Sequence, residues 1–105
     1  MDKPPFPLPR RQLVTIVCEA AIERLVIELL LRHGARGYTI TDARGRGARG
    51  VQDAAWKASA NIRIEVLCDD QVAAAIVSAL CERDYDDYGI VLFVSEVGVL
   101  RPEKF

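Results

Sequence analysis

Ala60-Asn61-Ile62-Arg63-Ile64-Glu65-Val66-Leu67 puts Ile62, Ile64 and Val66 on one side and Asn61, Arg63 and Glu65 on the other. Successive side chains of a strand point to opposite faces, so this pattern reads as a strand with one buried face. Asp69 to Asp84 then carries Val72, Ala75, Ile76, Ala79 and Leu80 at helical spacing. Asp69 and Asp70 stand at its start, where the helix dipole favours negative charge. This strand-helix unit occurs twice. Shifted by 50 positions, Cys18 falls on Cys68, Glu19 on Asp69 and Tyr38 on Tyr88, without a gap. The stripe Ile22, Leu25, Val26, Leu29 and Leu30 falls on the stripe of the later helix.

Outward from this unit, Gln12 to Cys18 is short and β-branched, and reads as a buried strand. Glu19 to His33 reads as a helix. Arg32 and His33 lie in its last turn, where positive charge is favoured, and Gly34 is a fitting C-cap. The single histidine is thereby explained without a catalytic role. Gly37 to Ala43 reads as a second strand, alternating around Tyr38, Ile40 and Asp42, and Tyr88 to Val97 as a fourth. The order is β-α-β, loop, β-α-β. This predicts an α+β, ferredoxin-like split β-α-β fold (βαββαβ), a four-stranded antiparallel sheet with both helices on one face. The other face is then uncovered, yet the strands carry apolar residues such as Val14, Ile16, Val91 and Phe93. An uncovered apolar face implies oligomerisation.

The chain has 105 residues, half of them apolar, and a formal net charge of −1. That suits one domain with one core and argues against bulk nucleic-acid binding. Residues 1–10 read as a Pro-rich extended tail and 11–105 as the domain. Cys18, Cys68 and Cys81 are too scattered for a disulfide framework or a zinc site, and read as reduced thiols of a cytoplasmic protein. No signal peptide is visible at the Pro-rich start, and the apolar runs are too short to span a membrane.

Charge is unevenly spread. Gly34 to Gly50 holds five of the seven glycines and four arginines against one carboxylate, Asp42. Asp69 to Asp87 holds six carboxylates against Arg83. Glycine allows close backbone approach, and the guanidinium fork fits phosphate or carboxylate oxygens in pairs. Gly45-Arg46-Gly47 with Arg49 therefore reads as an anion-binding loop. It is no P-loop, because no Gly-Lys-Ser/Thr follows, and no helix opens after it as a dinucleotide fingerprint requires. The sequence arranges no Ser/His/Asp or Cys/His set for nucleophilic catalysis, so the reading is not an enzyme. Acylphosphatases of this fold class need an arginine after the first strand, where Cys18-Glu19-Ala20 stands. The aromatics do not form an RNA-stacking cluster.

Gly37-Tyr38-Thr39-Ile40-Thr41 followed by Gly45-Arg46-Gly47-Ala48-Arg49 resembles the strand leading into the T-loop of PII signal-transduction proteins. Residues 60–67, Asp69-Asp70 and Asp86-Asp87-Tyr88-Gly89-Ile90-Val91 extend the likeness over about residues 11 to 100. It is nearest to the PII-like branch of SbtB and the carboxysome-associated proteins.

The resemblance implies a homotrimer with inward-facing sheets and adenine nucleotide in clefts between subunits. Carried over, Thr39, Gly45, Arg46, Gly47 and Arg49 would hold ribose and phosphates, with Gly37 and Tyr38 also in the nucleotide site. The strand ends near Leu67 and Gly89 would hold adenine, Tyr88 would join the nucleotide site, and Arg101 would reach a phosphate from the neighbouring subunit. The T-loop, about residues 44–58, lacks the tyrosine of the uridylylation switch. No lysine stands beside Gly89, which favours AMP, ADP or cyclic AMP over ATP. The C-terminus lacks the cysteine pair of some SbtB proteins. Bicarbonate at Arg46 and Arg49, and a membrane bicarbonate transporter or carboxysome-related partner at the T-loop, are further implied. Metal and nucleic acid are not. The competing reading is a ferredoxin-like oligomeric module of the cation-tolerance or amino-acid-sensing type, with the loop as a protein contact.

Overall fold

The alternation of the first strand decides where everything else packs. In the computed structural model, which describes residues 7–45, 60–82 and 89–105, β1 runs Arg10–Glu19 and pairs on both sides. One neighbour is β3, Asn61–Cys68, and the other is β4, Val91–Gly98. β2, Thr39–Ala43, lies outside β3. All pairings are antiparallel and the strand order is β2-β3-β1-β4. Helices α1, Glu23–Arg32, and α2, Asp70–Glu82, cover one face, as the ferredoxin-like pattern predicts.

The core is a set of register partners. Val14 faces Val66, Ile16 faces Ile64 and Leu92, and Cys18 faces Ile62. Val14, Ile16, Ile64 and Val66 are wholly buried. Val26, Leu29 and Leu30 of α1 and Ala73, Ile76 and Leu80 of α2 close over them. The stripe expected for α2 is rotated slightly: Ala73 is buried, whereas Ala75 is half-exposed.

This register corrects the expectation for the open face. Val14 and Ile16 lie under the helices, not on the uncovered side. Even-numbered residues of β1 point to the core, so the open face takes Leu13, Thr15 and Val17. Thr15 pairs with Phe93 and Val17 with Val91, so these two β4 residues do lie on the open face. They are 47% and 54% exposed, a large apolar area for one chain to leave in water. Thr15 is buried between Glu65 and Phe93, and its hydroxyl has no partner among the described residues.

Element ends follow local chemistry. Glu19 supplies no side-chain cap, so a short 3-10 turn, Ala20–Ile22, precedes α1 instead of the expected direct start. Its first N–H donates to Ala60 O at 2.7 Å. At the far end Gly34 has φ +102°, its N–H donates to Leu31 O at 3.2 Å, and the Ala35 N–H donates to Leu30 O at 3.0 Å. This is the Schellman closure that glycine permits. Asp69 caps α2, accepting the Val72 N–H at 2.9 Å. β4 begins later than expected because Gly89, at φ +64°, turns the chain just before it. β2 is shorter than expected: Gly37 and Tyr38 lead in without pairing.

Ile64→Ala is expected to lower the unfolding free energy by about 2–5 kcal/mol, as for a fully enclosed core side chain. Gly34→Ala should cost about 1–2 kcal/mol from its left-handed backbone, and its new Cβ would meet Val72 Cγ2 at 3.2 Å. Urea unfolding checks both. Wild-type stability in either variant would contradict the assigned packing.

Candidate functional site

Antiparallel pairing sorts the candidate residues into two groups. The start of β2, the end of β3, the start of β1 and the end of β4 share one end of the sheet. Gly37, Tyr38 and Thr39 stand there, as does Leu67, which pairs with Leu13. Thr39 pairs with Glu65. Arg101 follows β4 at the same end, on the lead into a 3-10 turn, Pro102–Lys104. Gly45 and Gly89 stand at the opposite end, one after β2 and the other before β4. Arg46, Gly47, Arg49 and Tyr88 lie outside the described residues, as does most of the T-loop segment.

Leu67 and Gly89 stand at opposite ends of the sheet within one chain. Leu67 is level with Leu13, whereas Gly89 precedes Val91, which is level with Val17. Four strand residues separate the levels, at least roughly 13 Å at about 3.3 Å per residue.

Two arginines at the Thr39 end are bonded into the C-terminal turn. Arg36, directly before Gly37, donates from Nη1 to Glu103 O at 2.9 Å. Arg11 donates from Nη1 to Arg10 O at 2.8 Å and from Nη2 to Pro102 O at 3.2 Å, while its Nε is buried without a partner among the described residues. Arg101 is exposed. Sequence reasoning gave no role to Arg11 or Arg36. Arg36 lay inside the Gly/Arg stretch and adjoined the Gly37–Thr39 motif, which was the available signal. Its partner is 67 residues away and was not readable.

The flank between β1 and α2 has different chemistry. An open depression of about 290 Å³ is lined by Arg10, Arg11, Asp69, Asp70 and Gln71. Its carboxylates are already engaged: Asp69 caps α2, and Asp70 accepts from Gln12 Nε2 at 2.9 Å. On the open face Arg63 pairs with Glu65 at 3.4 Å. Among the described residues no cluster of His, Cys, Asp or Glu could hold a metal ion, and no helix is long and apolar enough to cross a membrane.

Two thiols are buried in the core. Burial, then the Glu19 and Glu23 carboxylates, pushes Cys18 up to about 11. Burial, then Asp69 and Asp70, does the same for Cys68. Cys81 is exposed. In the folded protein at about pH 8, iodoacetamide should therefore modify Cys81 alone, as read by peptide mass. The folded state keeps protons that the unfolded chain gives up near the ordinary thiol value of 9.0. The thiol contribution to stability is thus full below that pH and fades toward pH 11. Rapid labelling of all three cysteines would contradict the burial.

The fold has counterparts among known proteins. The sequence model described as nitrogen regulatory protein P-II matches residues 11–104. A PII-like signaling protein from Thermus thermophilus is 40% identical, with a TM-score of 0.78 over 95% of this chain and 99% of that one. CPII from Thiomonas intermedia, a nitrogen regulatory PII-like protein bound to ADP, AMP and bicarbonate, is 25% identical, with a TM-score of 0.81 over 93% of this chain and 95% of that one. A further structure of CPII holds ADP and bicarbonate, at 26% identity and a TM-score of 0.80, covering 93% of this chain and 96% of that one. With the family match spanning nearly the whole chain and a relative at 40% identity, this protein belongs to the PII family and is PII-like.

Proposed function

We propose that this protein is a non-enzymatic, trimeric regulator that binds adenine nucleotide between subunits and reports it through T-loop conformation. The observation that carries this reading is the division of the candidate residues between opposite ends of one sheet. A neighbouring copy, packed with its opposite end alongside, would bring its Gly45 and Gly89 to Gly37, Thr39, Leu67 and Arg101. The exposed Val91 and Phe93 on the helix-free face give the copies an apolar surface to share. The ADP and AMP of CPII indicate the ligand class.

In this reading Gly37, Tyr38, Thr39, Gly45, Arg46, Gly47, Arg49 and Arg101 hold ribose and phosphates, and Leu67, Tyr88 and Gly89 hold adenine. A ligand shifts the T-loop, about residues 44–58, only as far as it binds one conformation better than the other. Arg46 and Arg49 supply that difference through charge-assisted bonds. Their spare donors take bicarbonate beside the phosphates, in keeping with the bicarbonate of CPII. We extend the proposal to cytoplasmic sensing of inorganic carbon. The T-loop would act on a bicarbonate transporter or a carboxysome-related partner. Residues 11–105 form the single domain, and the Pro-rich start is an appendage to it.

Calorimetric titration with AMP, ADP, ATP and cyclic AMP tests the reading. AMP or ADP should bind saturably and more tightly than ATP. Arg46→Ala and Arg49→Ala should each weaken ADP by roughly 10- to 150-fold, the equivalent of about 1.5–3 kcal/mol for a charge-assisted bond. Bicarbonate should bind more tightly with nucleotide present than without it. Absence of binding to all four nucleotides by a folded trimer would sink the nucleotide reading and favour the loop as a protein contact.

A further inference from the structure

The chain beyond β4 is mounted at three points. Val99 is buried and donates its N–H to Pro9 O at 2.8 Å. Arg11 holds Pro102 O at 3.2 Å, and Arg36 holds Glu103 O at 2.9 Å. Within this frame the turn closes on itself. Lys104 N–H donates to Arg101 O at 3.2 Å and Phe105 N–H donates to Pro102 O at 3.1 Å. Arg101 stands between the first and second mounts, exposed, on a backbone fixed on either side.

The choice of acceptors is informative. A guanidinium forms its strongest pairs with carboxylate or phosphate. Arg11 and Arg36 instead spend donors on neutral carbonyls, and among the described residues neither forms an ion pair. The bonds orient the turn without cancelling the positive charge around it. Arg36 also directly precedes Gly37-Tyr38-Thr39. One side-chain bond therefore ties that segment to the turn that carries Arg101.

We propose that Arg36, assisted by Arg11, is a positioning residue for anion recognition. It holds Arg101 at a fixed reach from Gly37–Thr39, so affinity for the phosphates of a nucleoside phosphate depends on an arginine that need not touch them. The inference rests on the nucleotide reading above. Its physical basis is preorganisation: a mounted Arg101 loses less freedom on binding than one on a loose tail.

ADP and adenosine titrations of the wild type, Arg36→Met, Arg101→Met and the double variant test it. Arg36 is exposed, so Arg36→Met should fold, and Arg24→Met removes the same charge from α1 as a control. Arg36→Met should weaken ADP roughly 2- to 12-fold, the cost of immobilising one long side chain. Adenosine binding and the Arg24→Met affinity should match wild type. The double variant should bind ADP no worse than Arg101→Met alone, because the effect runs through Arg101. Hydrogen exchange at the Lys104 and Phe105 amides should quicken in Arg36→Met without any ligand. Wild-type ADP affinity in Arg36→Met, equal loss for adenosine, additive losses in the double variant, or unchanged exchange would each overturn the inference while leaving the nucleotide reading intact. Failure of the wild type to bind ADP would instead overturn that reading, and this inference with it.

Discussion

The antiparallel registration of β1 between two partners governs the molecule. A one-residue slip on either side would turn Val14, Ile16 and Cys18 out of the core and bring Leu13, Thr15 and Val17 in. Because both neighbours are locked, their opposite faces are fixed as well. Ile62, Ile64 and Val66 must lie under the helices, and Val91 and Phe93 must lie on the bare side. Burying an uninterrupted block of branched side chains under two helices is the main stabilising contribution. Function inherits its coordinates from that registration, since it also sets which loops meet at which end.

Both ends of the sheet are specialised. One receives the unpaired Gly37-Tyr38 lead, the close of β3 and the C-terminal turn, with Arg11 and Arg36 bonded into that turn. The other receives Gly45 and the left-handed Gly89. The acidic start of α2 lies at the same end, beside Arg10 and Arg11, but its carboxylates are already engaged: Asp69 by capping and Asp70 by Gln12. Carboxylates near an anion site would otherwise repel the ligand. Engaging them with neutral N–H donors reduces that repulsion without adding a counter-charge.

Much of this was legible in the sequence, and for identifiable reasons. Strict alternation in residues 60–67 and the overlay of two halves reported strand, helix and topology together. Gly34 followed from its place after Arg32 and His33. Face assignment in β1 was not legible. Leu13, Val14, Thr15, Ile16 and Val17 offer no polar contrast, so period two leaves both registers open until β3 and β4 are paired. The opposite placement of Leu67 and Gly89 was hidden for a related reason: linear order does not state which strand ends coincide. The Arg36–Glu103 bond was hidden by separation along the chain. What the sequence did carry was the joint order of Gly37-Tyr38-Thr39, Gly45-Arg46-Gly47 and Gly89, which pointed to the PII family.

Splitting a site between the two ends of one sheet has a consequence for how defects propagate. In the proposed assembly each chain lends one end to a cleft on its left and the other to a cleft on its right. Damage at a single end spoils one cleft and leaves the other whole. Damage at both ends of one chain removes both clefts in which it takes part. The ends of a single chain never meet, yet each must fit the other's counterpart, so a change at Gly89 is judged against Thr39 of another copy.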